Sequence, residues 1–261
     1  MEAIKDIRKE QPKKRVYGSP RMVVELNDKG LPCGRNRVAR IMKNNGVKAR
    51  IKRKFKQTTV SCHDNPVAPN LLDQKFDSDA PDKVYAADIT FIWTTEGWLY
   101  LAIVLDLFSR MVIGWTVSSR ITNDLVADAL NKAISSRKPK KGLIVHSDRG
   151  SQYTGYEYRK LLAKHGFIQS MSGAGNCYDN AVAESFFHTI KTESVSFEKY
   201  QTRAQAKTSL FDYIELFYNR ERRHSKLGYL SPWNYEQKNS LPETDSPSAD
   251  KPTNLVSVFS G

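Results

Sequence analysis

Three carboxylates and one lysine stand out for the chemistry they could do. Asp88 interrupts the apolar run YAADITFIW, where an unpaired buried charge is costly and a carboxylate needs a partner. Asp148 closes the run IVHSDRGSQY, two residues before Gly150, where a backbone or a phosphate could approach closely. Glu184 lies in DNAVAESFFHTIKTE. On a helical wheel Val182, Phe186 and Ile190 share one face of that segment, and Glu184, His188 and Lys191 fall within an arc of about 60° on the other. Convergent carboxylates are what a divalent-cation site needs. Hard cations select oxygen ligands, and two Mg²⁺ ions about 3.5–4 Å apart activate the attacking oxygen and stabilise the leaving one in phosphoryl transfer. An ammonium on the face of Glu184 suits a phosphate. Each residue also has a plainer reading: Asp88 as an exposed-face or edge position, Asp148 as a turn residue or N-cap, and Glu184 as one of the scattered charges of a surface helix.

These residues need a scaffold that brings two strands and a helix together. Val84 to Trp93, Trp98 to Leu105 and Met111 to Val117 are rich in β-branched and aromatic residues and read as a three-stranded antiparallel meander. Thr122 or Asn123 caps a helix with Leu125, Val126, Ala129, Leu130, Ala133 and Ile134 on its buried stripe. GLIVHSD follows as a fourth strand, Tyr156 to His165 as a helix, Phe167 to Met171 as a fifth strand, and Tyr178 to about Thr192 as the helix of Glu184. A last amphipathic helix spans about Arg203 to Arg220. This α/β order matches the ribonuclease H fold, in which the first and fourth strands lie side by side, so that Asp88 and Asp148 would meet.

The chain has 261 residues and a formal net charge of +13, and residues 1–60 hold all of that excess, with 18 Lys plus Arg against 5 Asp plus Glu. Such a step points to a basic module joined to a balanced globular body, and to a polyanionic partner. In the module, Ser19 and Pro20 open a helix with Met22, Val23 and Leu26 on one face. A second helix, from about Arg35 to Asn45, sets Val38, Ile41 and Met42 against Arg40 and Lys43, flanked by Arg37. This is a small all-α helix-turn-helix pattern whose second helix could face a DNA groove. Phosphate contact is expected of Arg35, Arg37, Arg40, Lys43 and of Lys52, Arg53 and Lys54 in the basic run that follows, with a solvated basic face as the alternative. Arg222 and Arg223 read either as a solvated C-terminal turn or as a second DNA-contact strip, with support for the dipole of the last helix explaining them nearly as well. The expected organisation is a DNA-binding domain over 1–60, a proline-containing linker over 61–82, a catalytic core with C-terminal helices over 83–238, and a disordered tail over 239–261.

Several classes fall away. The apolar stretches are of strand length and far short of a membrane span, and the start MEAIKDIRKE has no apolar signal core. Cys33, Cys62 and Cys177 are odd in number and scattered, which fits reduced thiols, and Cys62 with His63 has no second pair for zinc. A cytoplasmic, nucleoid-associated protein is expected. Among the other acids, Asp106 could pair with Arg110, Asp179 is a natural N-cap, and Glu193 is a third rival. His146 either touches substrate or is a satisfied structural histidine.

Between Asp88 and Asp148 lie 59 residues, between Asp148 and Glu184 lie 35, and Lys191 follows Glu184 by seven. This spacing resembles that of the retroviral-integrase-like superfamily. The blocks YGSPRMVVEL, APNLLDQKF, ADITFIWTTEGWLYLAIVLDLFSRMVIGW, HSDRGSQYTGYEYRKLL, SMSGAGNCYDNAVAESFFHTIKTE and YNRERRHSKLGYLSPWNYE resemble, more narrowly, the second-reading-frame (OrfB-type) transposases of the bacterial IS-three insertion sequences, over roughly residues 15 to 236. The resemblance implies a DDE transposase that cleaves and transfers DNA strands, with Asp88, Asp148 and Glu184 as metal ligands. It also implies two Mg²⁺ ions for which Mn²⁺ can substitute, element ends and target DNA as partners, a homo-oligomer on DNA, and an upstream-frame (OrfA-type) product. Tyr85 stands where that family usually has Trp, and Ala174 where it often has a basic residue; neither change touches the triad. The stretch after Leu241 matches nothing in the family. The competing readings are a catalytically silent DNA-binding regulator derived from such an enzyme, and a ribonuclease cutting RNA in hybrids. The ribonuclease leaves Lys191 and the helix-turn-helix unexplained.

Overall fold

The structure is a computed structural model that describes residues 1–50, 66–173 and 177–240. The sequence readings of Lys52, Arg53, Lys54, Ala174 and the tail from Leu241 lie outside the described residues. At the N-terminus α1 (Glu2–Glu10), α2 (Ser19–Asp28) and α3 (Arg35–Asn44) pack through Ile4, Ile7, Met22, Leu26, Val38 and Met42. The α2–α3 pair is the one that the apolar spacing predicts; α1, before it, has no counterpart in that reading.

The body is one mixed sheet. β1 (Val84–Thr94), β2 (Gly97–Asp106) and β3 (Val112–Ser118) form the antiparallel meander. Between β3 and the next strand, α4 (Asn123–Arg137) starts at Thr122, whose hydroxyl accepts from the Leu125 N–H at 3.3 Å as the capping pattern predicts. β4 (Ile144–Ser147) leads through the short α5 (Ser151–Thr154) to α6 (Tyr156–His165) and β5 (Ile168–Met171). The strand order is β3-β2-β1-β4-β5, and β4 runs parallel to both β1 and β5. In the β1–β4 register Val84 faces Ile144, Tyr85 faces Val145 and Ala86 faces His146. Carried two residues further, it sets Asp88 opposite Asp148.

Helices cover both faces of the sheet, which is why β2 reads as an almost unbroken apolar run. Leu99, Leu101, Ile103 and Leu105 face a core shared with α7 (Ala181–Glu193), α8 (Arg203–Phe211) and the N-terminal helices, while Ala102 and Val104 face α4 and α6. Gly114 permits the close approach of α4 to β3, since a Cβ there would stand 2.3 Å from the Ala129 carbonyl oxygen.

Two sequence expectations are redrawn. The last long helix is α8 followed by a wider π-helical turn, Asp212–Tyr218, which still buries Tyr213, Ile214, Phe217 and Tyr218, and a further helix α9 (Pro232–Asn239) lies beyond it. The described part of the segment read as a linker is fastened to the body: Leu72 is buried, the Leu71 N–H donates to Ser170 Oγ, and Asn70 donates to Asp179. No helix among the described residues is long and apolar enough to cross a membrane.

Candidate active site

Two adjacent parallel strands supply two of the acids. Asp88 sits half-buried within β1, and its Oδ1 accepts from the backbone N–H of Ile89 at 2.7 Å. Asp148 directly follows the last residue of β4, and its Oδ1 accepts from the N–H of Gly150 at 2.9 Å. A Cβ at position 150 would stand 2.3 Å from the side-chain amide nitrogen of Gln152, which would have to swing aside, and 3.0 Å from Asp148 Oδ1. Glu184 lies in the first turn of α7, whose Ala183, Phe186, Phe187 and Ile190 are buried against the sheet. Two turns on, Lys191 is buried, with Nζ 4.8 Å from the centroid of the Phe91 ring. His188, placed beside them by helical spacing, is exposed.

The electrostatics tie these groups together. Burial pushes the Asp88 carboxyl well above the ordinary carboxylate range, and the negative charge of Asp148 adds to the rise, with a further contribution from Glu184. The Ile89 N–H and Lys191 act in the opposite sense. Lys191 is pushed down to about 8 by burial, against the pull of Asp88. Close by, the Tyr153 hydroxyl of α5 is buried with no hydrogen-bond partner among the described residues, and burial together with the charges of Asp88 and Asp148 raises it.

This site is short of positive charge. Burial first, then the charges of Asp148 and Glu184, oppose ionisation of Asp88, and the donors are oxygens, the set a hard divalent cation selects. Among the described residues, no group of three or more His, Cys, Asp or Glu side chains is placed to hold a metal ion. The fit to a cation is therefore one of charge and donor type, not of a closed cage.

The rival acids have structural employment. Asp106 is buried and accepts from the Ser109 N–H and hydroxyl, both at 2.8 Å, and from the Asp82 N–H. Arg110, the partner expected for it, instead donates to the Phe76 carbonyl and pairs with Asp77 at 3.2 Å. Asp179 precedes α7 but does not cap it: the N-cap is Asn180, and Asp179 accepts from Asn70, Gln74 and the Gly173 N–H. His146 is a satisfied histidine, buried between the hydroxyls of Ser170 at 2.9 Å and Ser172 at 3.3 Å.

The basic candidates divide. Arg35, Arg37, Arg40 and Lys43 are exposed on α3. Arg222 and Arg223 face inward, contrary to the reading of them as a DNA strip. The Arg222 guanidinium is buried and donates to both oxygens of Glu193 at 2.7 Å. Arg223 pairs with Glu25 at 2.9 Å and with Asp28. Glu193 also accepts from Tyr213 at 2.8 Å and from Arg21 at 3.3 Å. Sequence spacing singled out Glu193 only as a rival ligand; the arginines that claim it come from α2 and from the chain after the π-helical turn, too far along the sequence to be paired with it by pattern.

A model described as an integrase core domain matches residues 78–177, a second of the same description matches 184–240, and an HTH-like domain matches 1–55. The chain is 46% identical over 226 residues to the transposase InsF for insertion sequence IS3A of Escherichia coli (strain K12), covering 87% of this chain and 78% of that one. It is likewise 46% identical over 222 residues to an uncharacterized 31 kDa protein of insertion element IS600 from Shigella sonnei, covering 85% and 82%. Among solved structures it is similar to the HTLV-2 integrase catalytic core domain in complex with magnesium, with 15% identity, a TM-score of 0.47, and coverage of 60% of this chain and 97% of that one.

Proposed function

The chain belongs to the InsF-type insertion-sequence transposases with an integrase core, and from that membership we propose that Asp88, Asp148 and Glu184 are its catalytic carboxylates. The protein is a DNA-binding polynucleotidyl transferase that cleaves and joins DNA strands in moving an insertion sequence. What supports the triad is the β1–β4 register, which runs Asp88 and Asp148 opposite each other, together with the rise that Asp148 and Glu184 impose on the Asp88 carboxyl.

Two Mg²⁺ ions, or Mn²⁺ in their place, would be held by these three side chains and would polarise the scissile phosphate while neutralising charge on the attacking and leaving oxygens. The remaining work falls to the chain. Backbone N–H groups of Ile89 and Gly150 each hold one oxygen of Asp88 and Asp148, which restricts the rotamers the two carboxylates must search to take up a cation. Burial and the charge of Asp148 raise the Asp88 carboxyl, and a cation held there would favour its ionised form. Lys191 offers its ammonium to a non-bridging phosphate oxygen. A water at the element end, or the freed 3′ hydroxyl at the target, attacks phosphorus in line with the departing oxygen, one P–O bond forming as another breaks. No covalent intermediate with the enzyme is required. Arg35, Arg37, Arg40 and Lys43 on α3 take up phosphates of the flanking duplex. In the same proposal the protein works as a homo-oligomer on DNA in the nucleoid, with an upstream-frame product as its partner.

The test is Glu184→Gln, assayed with Mg²⁺ or Mn²⁺ on DNA carrying the element's ends. Cleavage and joining should be lost while DNA binding survives. Strand transfer retained by that variant would overturn the triad. A parent protein that binds ends but never cuts them would support the silent regulator, and a preference for RNA–DNA hybrid would support the ribonuclease.

A further inference from the structure

Past Asp88, β1 continues to Thr94, but β4 pairs only with Val84, Tyr85 and Ala86. The β1–β2 hairpin therefore runs on beyond the carboxylates, and one of its faces is aromatic. Trp93 lies directly across from Trp98, and Phe91 across from Tyr100. Trp98 meets Phe91 edge to face at 5.0 Å between ring centroids, and Trp93 at 4.8 Å. Yet Trp93 is 58% exposed and Trp98 43% exposed. Rings of that size are mostly buried in folded proteins, and an adjacent exposed pair signals something that binds over them.

The surroundings say what kind of ligand that is. Lys191 lies over the Phe91 ring while feeling the charge of Asp88, so it links the aromatic face to the carboxylates. On the other side, the Arg203 guanidinium donates to the Trp98 carbonyl at 3.1 Å, and the Glu96 carboxylate is taken by the Arg203 N–H at 2.8 Å. Flat apolar rings flanked by cations match a strand with flat apolar bases and an anionic backbone. At a strand's rise, Phe91 and Trp93 stand about 10 and 17 Å along β1 from Asp88 and, by strand alternation, on the opposite face. A strand of a few nucleotides joining them to the carboxylates passes round the edge of β1 that β4 leaves unpaired, on which Lys191 approaches both.

We propose that Trp93 and Trp98, with Phe91, form a stacking platform for unpaired nucleobases of the DNA end whose phosphate enters the carboxylate site. This rests on Asp88, Asp148 and Glu184 marking that site. Stacking on every base has a π face to use, so the platform holds a frayed end whatever its sequence and keeps it single-stranded beside the chemistry.

The experiment uses the full chain in EDTA, so that binding is read apart from strand transfer. Two short duplexes of one sequence are compared, one fully paired and one with its last few pairs mismatched and carrying 2-aminopurine there. The parent should bind the frayed duplex more tightly and quench its fluorescence. Trp93→Ala and Trp98→Ala should each lose about tenfold or more in affinity for the frayed duplex, and the quench, with the paired duplex unaffected. Trp93→Phe should keep most of the preference, and Trp93→Leu, which keeps an apolar strand residue, should lose it. Equal losses on both duplexes, or none, would overturn the platform. So would self-association that depends on Trp93 while the preference for frayed ends stays intact, since the rings would then cover a second copy of the chain. If Glu184→Gln retains strand transfer while the preference and quench persist, the carboxylate assignment fails and the platform stands; loss of strand transfer in Glu184→Gln with no quench in the parent removes the platform alone.

Discussion

Arg222→Ala should destabilise the protein by about 3–5 kcal/mol without changing how DNA affinity depends on salt. The side chains of Arg222 and Glu193 are 5% and 8% exposed and joined by two hydrogen bonds of 2.7 Å. Removing the guanidinium leaves a buried carboxylate with only the Tyr213 hydroxyl and the longer contact from Arg21. The pH dependence carries a sign. Arg222, then Arg21 and Tyr213, hold the Glu193 carboxyl below its ordinary range in spite of burial. Its contribution is therefore present above the unfolded carboxylate range and lost as pH falls through the depressed value. In Arg222→Ala the carboxyl rises, so the deficit should be largest near neutrality and shrink toward acid. Urea unfolding of parent and variant at several pH values measures this, and replacing both partners by Met should recover most of the loss. Arg40→Ala on α3 provides the contrast, with little effect on stability and a salt slope about one unit shallower. A loss below about 1 kcal/mol in Arg222→Ala, together with a slope shallower by one, would put Arg222 on a phosphate and refute the reasoning.

Gly114→Ala should cost about 1–3 kcal/mol, because its Cβ would stand 2.3 Å from the Ala129 carbonyl and 2.8 Å from the Ala133 nitrogen, so α4 must move off β3; thermal unfolding reads it. His224 is held down to about 4 by burial and then by Arg222, Arg110 and Arg21, so the unfolded chain binds more protons between about pH 4 and 6.5 and stability falls on acidification through that window. The fall should be at most about 2 kcal/mol between pH 7.5 and 5, and His224→Gln should flatten it in urea titrations. Asp88→Asn should raise the melting temperature in EDTA at neutral pH, because it removes a carboxyl whose ionisation is opposed by burial and then by Asp148 and Glu184, while abolishing strand transfer; an unchanged or lower melting temperature would show that this opposition is not stored in the fold.

What could be read from the sequence was local or periodic. The alternation of β-branched and aromatic residues gave the meander, the Thr122 cap gave the start of α4, and helical spacing separated Glu184 and Lys191 from the apolar stripe of α7, although Lys191 is itself buried against Phe91. Element order then placed β1 beside β4, which is the one tertiary fact needed to pair Asp88 with Asp148. Charge partners were not legible in the same way. Asp106 has Arg110 four residues away and does not use it, because the Ser109 hydroxyl and two backbone N–H groups satisfy it first, leaving Arg110 to the Phe76 carbonyl and Asp77. Asp179 has the sequence signature of a cap, yet the segment Asn70–Gln74 comes back to claim its oxygens. Arg222 and Arg223 look like a basic strip because their acids, Glu193, Glu25 and Asp28, are distant in the chain.

That pairing changes what the N-terminal charge means. The excess in residues 1–60 looks like a module held out toward DNA, but Arg21 is turned inward to Glu193, and Glu25 and Asp28 take Arg223 from the far end of the chain. Tyr17 is buried against Phe217, and its hydroxyl accepts from the Arg223 N–H at 2.9 Å. Three separate stretches thus meet at the last turn of α7: α2, the π-helical turn through Tyr213, and the residues after it. α7 is also the helix that carries Glu184 and Lys191. A carboxylate on a helix can meet two on a sheet only if the helix is fixed in rotation and along its axis, and the buried sheet-facing stripe alone leaves sliding along the sheet weakly opposed. A buried carboxylate locked by two arginines from different segments opposes it directly. The basic module therefore does two jobs with different residues: α3 presents its cations to solvent, while α2 anchors the helix that carries Glu184, the proposed third acid.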